Sequence, residues 1–228
     1  SDYKGIIYVS KDGNDLDEGS IDKPVATIKR AIELASASGM PGEIIINEGV
    51  YNESGLVINS NLTIGSTGEV VINGNNEGQL IYVNGSLAAL KVILKNLTLT
   101  GADYLYGAAL YNYHSDVELE NVNFTANHAS SGGTGYSSIS VIYNRGNLTI
   151  SNSTIRDNGE MGLLYNAGNL TLLDCKFINN TALDGGFGLV YLDNSYYSND
   201  RLYIDKCEFI NNTDNQGVIY TYYGVVDI

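Results

Sequence analysis

The sequence contains no tryptophan and only two cysteines, two prolines and two histidines in 228 residues. Two cysteines cannot make the multi-bridge framework that small secreted domains use in place of a core. His114 and His128 each sit beside a turn, with no nucleophile signature and no metal-ligand spacing around them, and read as ordinary loop residues. Cations are scarce too. Twelve Lys and Arg against 26 Asp and Glu give a formal charge of −14, which disfavours nucleic acid or an anionic membrane surface as a partner. No run of eighteen apolar residues occurs, so this segment is not expected to be embedded in a membrane.

What the chain does have is glycine, 26 residues of it, and one repeated phrase. Segments 92–99, 117–124, 148–155, 170–177 and 202–209 align as copies in which positions one, three, six and eight are mostly apolar. Four copies reach an asparagine three residues later: Asn127, Asn158, Asn180 and Asn212. The copies begin 25, 31, 22 and 32 residues apart. An irregular period of this size with two-residue alternation indicates a β-solenoid. A unit with one apolar face cannot bury it alone and must stack on a copy of itself.

Within a copy the first three positions make a strand, the step from three to six marks a bend, and a second strand follows. A third is expected at 80–82, 109–111, 141–143, 163–165, 189–191 and 218–220. The predicted fold is all-β: a right-handed parallel β-helix with three short strands per coil, the hand following from the chirality of parallel crossovers. Stacking in alignment sets Lys95 beside Glu120, Asp174 beside Lys206 and Lys176 beside Glu208, three opposite-charge neighbours. It also superposes Cys175 and Cys207, which read as two reduced thiols in a core.

The reading is one domain over 1–228. Residues 1–60 form an N-terminal cap with a helix at about 25–38, and 61–228 form the coils. Ile28, Ala31, Ile32, Leu34 and Ala35 share a helical face, and Gly39 and Pro41 end the helix. Such a helix covers the open end of the first coil. Residues 225–228 read as the opening of another repeat, so the chain is expected to be a piece of a longer protein.

Residues 7–15, then 23–32, then 49–51 resemble the entry segment of pectate-lyase-like right-handed β-helix proteins. The later copies, with Cys-x-Phe-Ile-Asn-Asn-Thr and Gly-x-x-x-Tyr-Asn, resemble the repeats of adhesin-like surface proteins of methanogenic archaea. The resemblance spans essentially the whole chain and implies a secreted surface protein. Fold alone does not license an activity.

Enzymes of this architecture need converging carboxylates, or a basic residue over a calcium site. There is no adjacent Asp-Asp pair and no Arg-x-Lys. Glu118 and Glu120 share a strand, but Lys95 gives Glu120 a structural neighbour. Arg145, Arg156 and Arg201 have no acidic cluster of their own. The acidic loop from Asp12 to Asp22 carries enough oxygens for calcium but lacks EF-hand spacing, and a turn with side-chain hydrogen bonds is preferred. No catalytic residue, metal ligand or cofactor is assigned.

Eighteen tyrosines against four phenylalanines point elsewhere. Tyr82, Tyr111, Tyr143, Tyr165, Tyr191 and Tyr220 form a column, expected to face outward because the residue before each is aliphatic. Two residues further on, Asn84, Tyr113, Arg145, Ala167, Asp193 and Tyr222 look like surface choices. The column two residues before the tyrosines is apolar and conflicts with this assignment. Inserts at 103–106, 130–136 and 184–187 leave from one corner and should bring Tyr104, Tyr106 and Tyr136 together. Tyr196 and Tyr197 lie on a loop at another corner. Asparagines recur at turns, where stacked amides can hydrogen-bond along the axis. Ten Asn-x-Ser/Thr sequons permit glycosylation.

The expected function is a non-enzymatic, surface-displayed, monomeric adhesin-like module that recognises a glycan or protein on another cell. Its binding residues are expected to be Tyr104, Tyr106, Tyr113, Tyr136, Tyr196 and Tyr197. The alternatives are a polysaccharide lyase or hydrolase and a structural spacer.

Overall fold

The computed structural model describes residues 5–39, 42–130, 138–183, 188–193, 200–214, 216–222 and 224–228. Two columns of residues force the chain to turn at fixed places. The fifth position of each copy, held by Asn96, Asn121, Asn152, Asp174 and Lys206, has φ between 50° and 57°. Ala126, Asp157, Asn179 and Asn211 make a second left-handed column with φ of 53–57°. Asn and Asp enter this region more readily than other side chains, which explains why the repeat favours them at its corners. The break in apolar spacing is therefore a left-handed corner.

Between corners the alternation sets the strands. The first coil runs through Gly42–Ile46, Gly49–Tyr51 and Leu56–Ile58, and the second through Leu62–Ser66, Val70–Asn73 and Ile81–Asn84. In the next coils the strands run on through the corners, as in Lys91–Thr100 and Tyr106–Thr125. Rungs pair in parallel and in register. One column runs Ile7, Ile44, Ile64, Leu94, Leu119, Ile150, Leu172 and Ile204. All eight are buried, and together they form one wall of the core. Rungs thus stack from Ile6–Val9 onward, and the first full coil begins at Gly42, inside the segment read as cap.

The three strands per coil are present as expected, and later coils add a short fourth. His128–Ala129, Gly159–Glu160, Thr181–Ala182 and Thr213–Asp214 pair as a separate four-stranded sheet. The asparagine before each of these pairs is locked to a neighbouring coil. Asn127 Nδ2 donates to Asn158 Oδ1 (3.0 Å), Asn158 to Asn180 (3.1 Å) and Asn180 to Asn212 (3.0 Å). Each acceptor also takes the backbone N–H of the preceding asparagine. A second inner ladder joins Asn112, Asn144 and Asn166 at 2.9 and 2.8 Å. It begins where the coil before offers Val83, and Asn112 Oδ1 is left buried without a hydrogen-bond partner.

The charged register holds for Lys95 with Glu120 and Lys176 with Glu208, which are direct rung partners. Neither pair closes to an ion pair. Among the described residues the one salt bridge is Arg30–Glu33 at 3.2 Å. Exposed long side chains gain little by fixing one geometry.

The helix spans Ile28–Ala37 and buries Ile28, Ala31, Ile32 and Ala35, with Leu34 half-buried. It starts three residues late because Val25 still bridges Val9 in extended form. Thr27 caps it by accepting from Arg30 N–H, and Glu53 accepts from the Ile28 and Lys29 N–H groups at 2.9 and 3.0 Å. From the acidic loop, Asp15 accepts from Ala26 and Thr27 N–H and from the Thr27 hydroxyl. Carboxylates at a helix N-terminus answer its unpaired N–H groups and its dipole. The loop is thereby tied to the cap, with Asn14 accepting from Leu16 N–H in a side-chain turn.

Cys175 and Cys207 are free thiols, the first fully buried and the second half-buried. Burial pushes the Cys175 thiol up to about 12. Thiolate is the reactive form, so Cys175 should resist iodoacetamide at pH 8 in the native protein and label once denatured. Intact-mass analysis checks this, and rapid native labelling of Cys175 would contradict the packing.

Candidate binding face

The tyrosine column points away from the core, as its aliphatic predecessors require. The apolar column before it causes no conflict. Leu80, Leu163 and Leu189 sit just before the strand and Ala109 and Val141 within it, all five buried in the core, while Val218 in the last coil is exposed. The tyrosines instead pile on one another. Tyr111 and Tyr143 stack at 4.5 Å and 7°, and Tyr143 and Tyr165 at 4.7 Å and 29°. Tyr165–Tyr191 and Tyr191–Tyr220 follow at 5.2 and 5.6 Å, tilted. Rings stacked this way spend their faces on each other and turn their edges outward.

The ladder divides into two halves. Tyr165 and Tyr191 are buried, in an outer cluster with Ala167. Tyr165 donates its hydroxyl to Asp193, which is itself 7% exposed. Burial and the nearby Asp193 push the Asp200 carboxyl up. Ala167 and Asp193, read as surface positions, are corrected here. The ring stack shelters the alanine, and the tyrosine hydroxyl holds the carboxylate inward.

Tyr82, Tyr111 and Tyr143 form the more open half. Tyr82 meets Tyr111 edge-on at 5.3 Å and 90°. Two of the expected binding residues join here. Tyr106 meets Tyr143 edge-on at 6.3 Å, and Tyr113 tilts against Tyr111 at 6.2 Å. Tyr104 does not join them. It is 45% exposed, its backbone bonds to His128, and it makes no ring contact among the described residues. Directly after Tyr106 the chain turns at Gly107, whose φ is 59°. Tyr136, Tyr196 and Tyr197 lie outside the described residues.

Sequence reasoning missed Arg145 and His114. Arg145 is the rung partner of Tyr113, with its guanidinium 5.3 Å from that ring's centre. Burial pushes the Tyr111 hydroxyl's pKa up, and the Arg145 guanidinium works against that rise. His114 stands edge-on to Tyr113 at 4.1 Å. The available signal was the column Asn84, Tyr113, Arg145, which places the cation next to an aromatic once the coils are aligned.

With this geometry the family can be tested. The profile of the right-handed β-helix region matches residues 45–227. The chain belongs to the right-handed β-helix family. No curated protein and no solved structure matches it.

A groove of about 490 Å³ opens on a different side of the β-helix, lined among others by His128, Asp157, Glu160, Thr181 and Leu183. Gly159 and Glu160 stand side by side there with φ of 129° and 100°. Among the described residues no group of three or more His, Cys, Asp or Glu could hold a metal ion, and no helix is long and apolar enough to cross a membrane.

Proposed function

We propose that this β-helix is a surface-displayed, adhesin-like module that recognises a glycan on a partner cell. The observation that carries this reading is the open half of the ladder. Tyr82, Tyr111 and Tyr143 follow one another rung by rung and are each only half-buried, and Tyr106 and Tyr113 flank them. A row of hydroxyls on a rigid scaffold suits an extended, polyhydroxylated ligand that repeats along its length, with the flanking rings supplying apolar contact. The acidic chain disfavours nucleic acid. A second reading, a polysaccharide-active enzyme, is favoured by the groove that gathers His128, Asp157 and Glu160.

The test is a glycan-array and whole-cell binding screen run beside a turnover assay on pooled polysaccharides. Saturable binding without new reducing ends or unsaturated products is expected. Replacing Tyr82 and Tyr143 together by Phe keeps the rings and removes two hydroxyls, and should weaken binding by about fivefold or more. Tyr104→Ala should leave affinity unchanged. Wild-type affinity in the double Phe variant would remove the ladder as the site. Turnover lost in Glu160→Gln would instead favour the enzyme. Binding to cells that survives glycan removal would point to a protein ligand.

A further inference from the structure

Tyrosine is one of the few side chains that gives up a single electron to a mild oxidant, and this chain has no tryptophan to compete with it. Six tyrosines follow one another without a break. Their ring centres are 5.3 Å apart from Tyr82 to Tyr111, 4.5 Å on to Tyr143, 4.7 Å to Tyr165, 5.2 Å to Tyr191 and 5.6 Å to Tyr220. Rings in contact exchange an electron easily, so an electron vacancy made on one can pass to the next. Tyr111, Tyr143 and Tyr220 are half-buried and open to a small oxidant, whereas Tyr165 and Tyr191 between them are 4% and 6% exposed.

Where the vacancy comes to rest depends on where a phenol can shed its proton. An oxidised phenol is a strong acid, and left as a radical cation in the interior it would be an unpaired buried charge. Tyr165 has a base in place, because its hydroxyl donates to Asp193. Burial, and then that bond, keep Tyr165 a neutral phenol until it is oxidised. Tyr82 has only the Asn84 amide oxygen, at 3.5 Å, and an amide does not take up a proton. The fixed charges run the same way. Arg145 lies 5.3 Å from the centre of the Tyr113 ring, which tilts against Tyr111 at 6.2 Å, and a cation there makes loss of an electron more costly. A carboxylate at Tyr165 makes it less costly.

We propose that the tyrosine column carries one-electron oxidation inward to Tyr165, where Asp193 receives the phenol proton and a neutral tyrosyl radical is held. The co-reactant is a diffusible one-electron oxidant that meets the half-buried rings. One electron passes from Tyr165 through its neighbours to the oxidant, the phenol O–H bond breaks, and the proton ends on Asp193 as a carboxylic acid. A one-electron donor reverses both transfers. Burial in the stack keeps the radical from coupling with a second molecule. The path needs no bound glycan.

The experiment is flash photolysis of the protein with tris(bipyridine)ruthenium(II) and a cobalt(III) ammine as the irreversible electron acceptor, followed by electron paramagnetic resonance of rapidly frozen samples. The wild-type protein should show a long-lived neutral tyrosyl radical. Tyr165→Phe should lose that signal and leave only short-lived radicals on the exposed tyrosines. Asp193→Asn keeps the ring and an oxygen to accept its hydroxyl but removes the base, and should lose the signal too. Tyr104→Phe, off the ladder, should leave it unchanged. Circular dichroism checks each fold, and should Asp193→Asn misfold, Tyr165→Phe, which removes a single oxygen, decides. Absence of a long-lived radical in the wild type, or its survival in Tyr165→Phe, overturns the path. Its survival in a folded Asp193→Asn protein overturns the proton transfer on which the path depends.

Discussion

Asn158→Ala should cost the protein about 4 kcal/mol, a large loss for the removal of one polar side chain. The amide makes four hydrogen bonds. Its oxygen accepts from Asn127 N–H and Asn127 Nδ2, both at 3.0 Å, and its nitrogen donates to Phe124 O at 2.8 Å and Asn180 Oδ1 at 3.1 Å. Alanine leaves the Asn127 N–H and the Phe124 carbonyl without these partners in the interior, where each orphaned group costs about 1–3 kcal/mol. The adjacent exposed ladder gives the contrast. Asn169 Nδ2 donates to Asn147 Oδ1 at 2.9 Å, and Asn147 Nδ2 to Asp116 at 2.6 Å, but water can replace either bond. Asn147→Ala should therefore change stability by no more than about 1 kcal/mol. Urea unfolding followed by circular dichroism measures both. Hydrogen exchange should locate the Asn158 damage in its own and adjoining coils and leave the helical cap protected, because stacked repeats couple chiefly to their neighbours. Equal losses for the two asparagines would mean that the buried amides do not form a structural spine.

Gly159→Ala should be comparably damaging for a different reason. A Cβ at this position would lie 1.7 Å from the carbonyl oxygen of Thr181 and 2.7 Å from its carbon. That atom belongs to the backbone of the next rung, in a sheet whose strands are two residues long, so no side chain can swing away. The φ of 129° adds strain for any residue with a Cβ. Clash and strain together predict a loss of roughly 3–5 kcal/mol or a failure to fold. Gly55 separates the two effects. It also has positive φ, 65°, but nothing lies within 4 Å of its would-be Cβ. Gly55→Ala should cost about 1–2 kcal/mol from conformation alone. Similar unfolding midpoints for the two variants would show that the fourth sheet yields easily and that the contact at Thr181 does not matter.

The stacking of the coils was legible because alternation and corner chemistry agree within each repeat. Lys95 faces Glu120 and Lys176 faces Glu208 because an aligned core permits no other register. The asparagine spine was visible as a column of Asn127, Asn158, Asn180 and Asn212, whose amides needed partners along the axis. The fourth sheet was not visible, because two-residue strands carry no period to detect. Nor was the split of the tyrosine ladder, since exposure there depends on neighbours outside the column: Tyr165 is covered and Tyr82 is not. Tyr104 and Tyr106 lie two residues apart in sequence, yet only Tyr106 reaches the ladder. Arg145 was passed over because it was sought among carboxylates, whereas its partners are rings.

The one-way march of parallel rungs also has a mechanical meaning. The inner amides tie each coil to both neighbours, Asn158 donating forward to Asn180 and back to the Phe124 carbonyl. Tension applied to the two ends of the chain would load the outermost coil first and peel it rung by rung, instead of shearing many rungs at once. Successive coils contain 20 to 32 residues, so each one released adds roughly 65–110 Å of extended chain. A stack built in this way can lengthen by whole coils under load while the tyrosine rungs deeper in the stack keep their spacing.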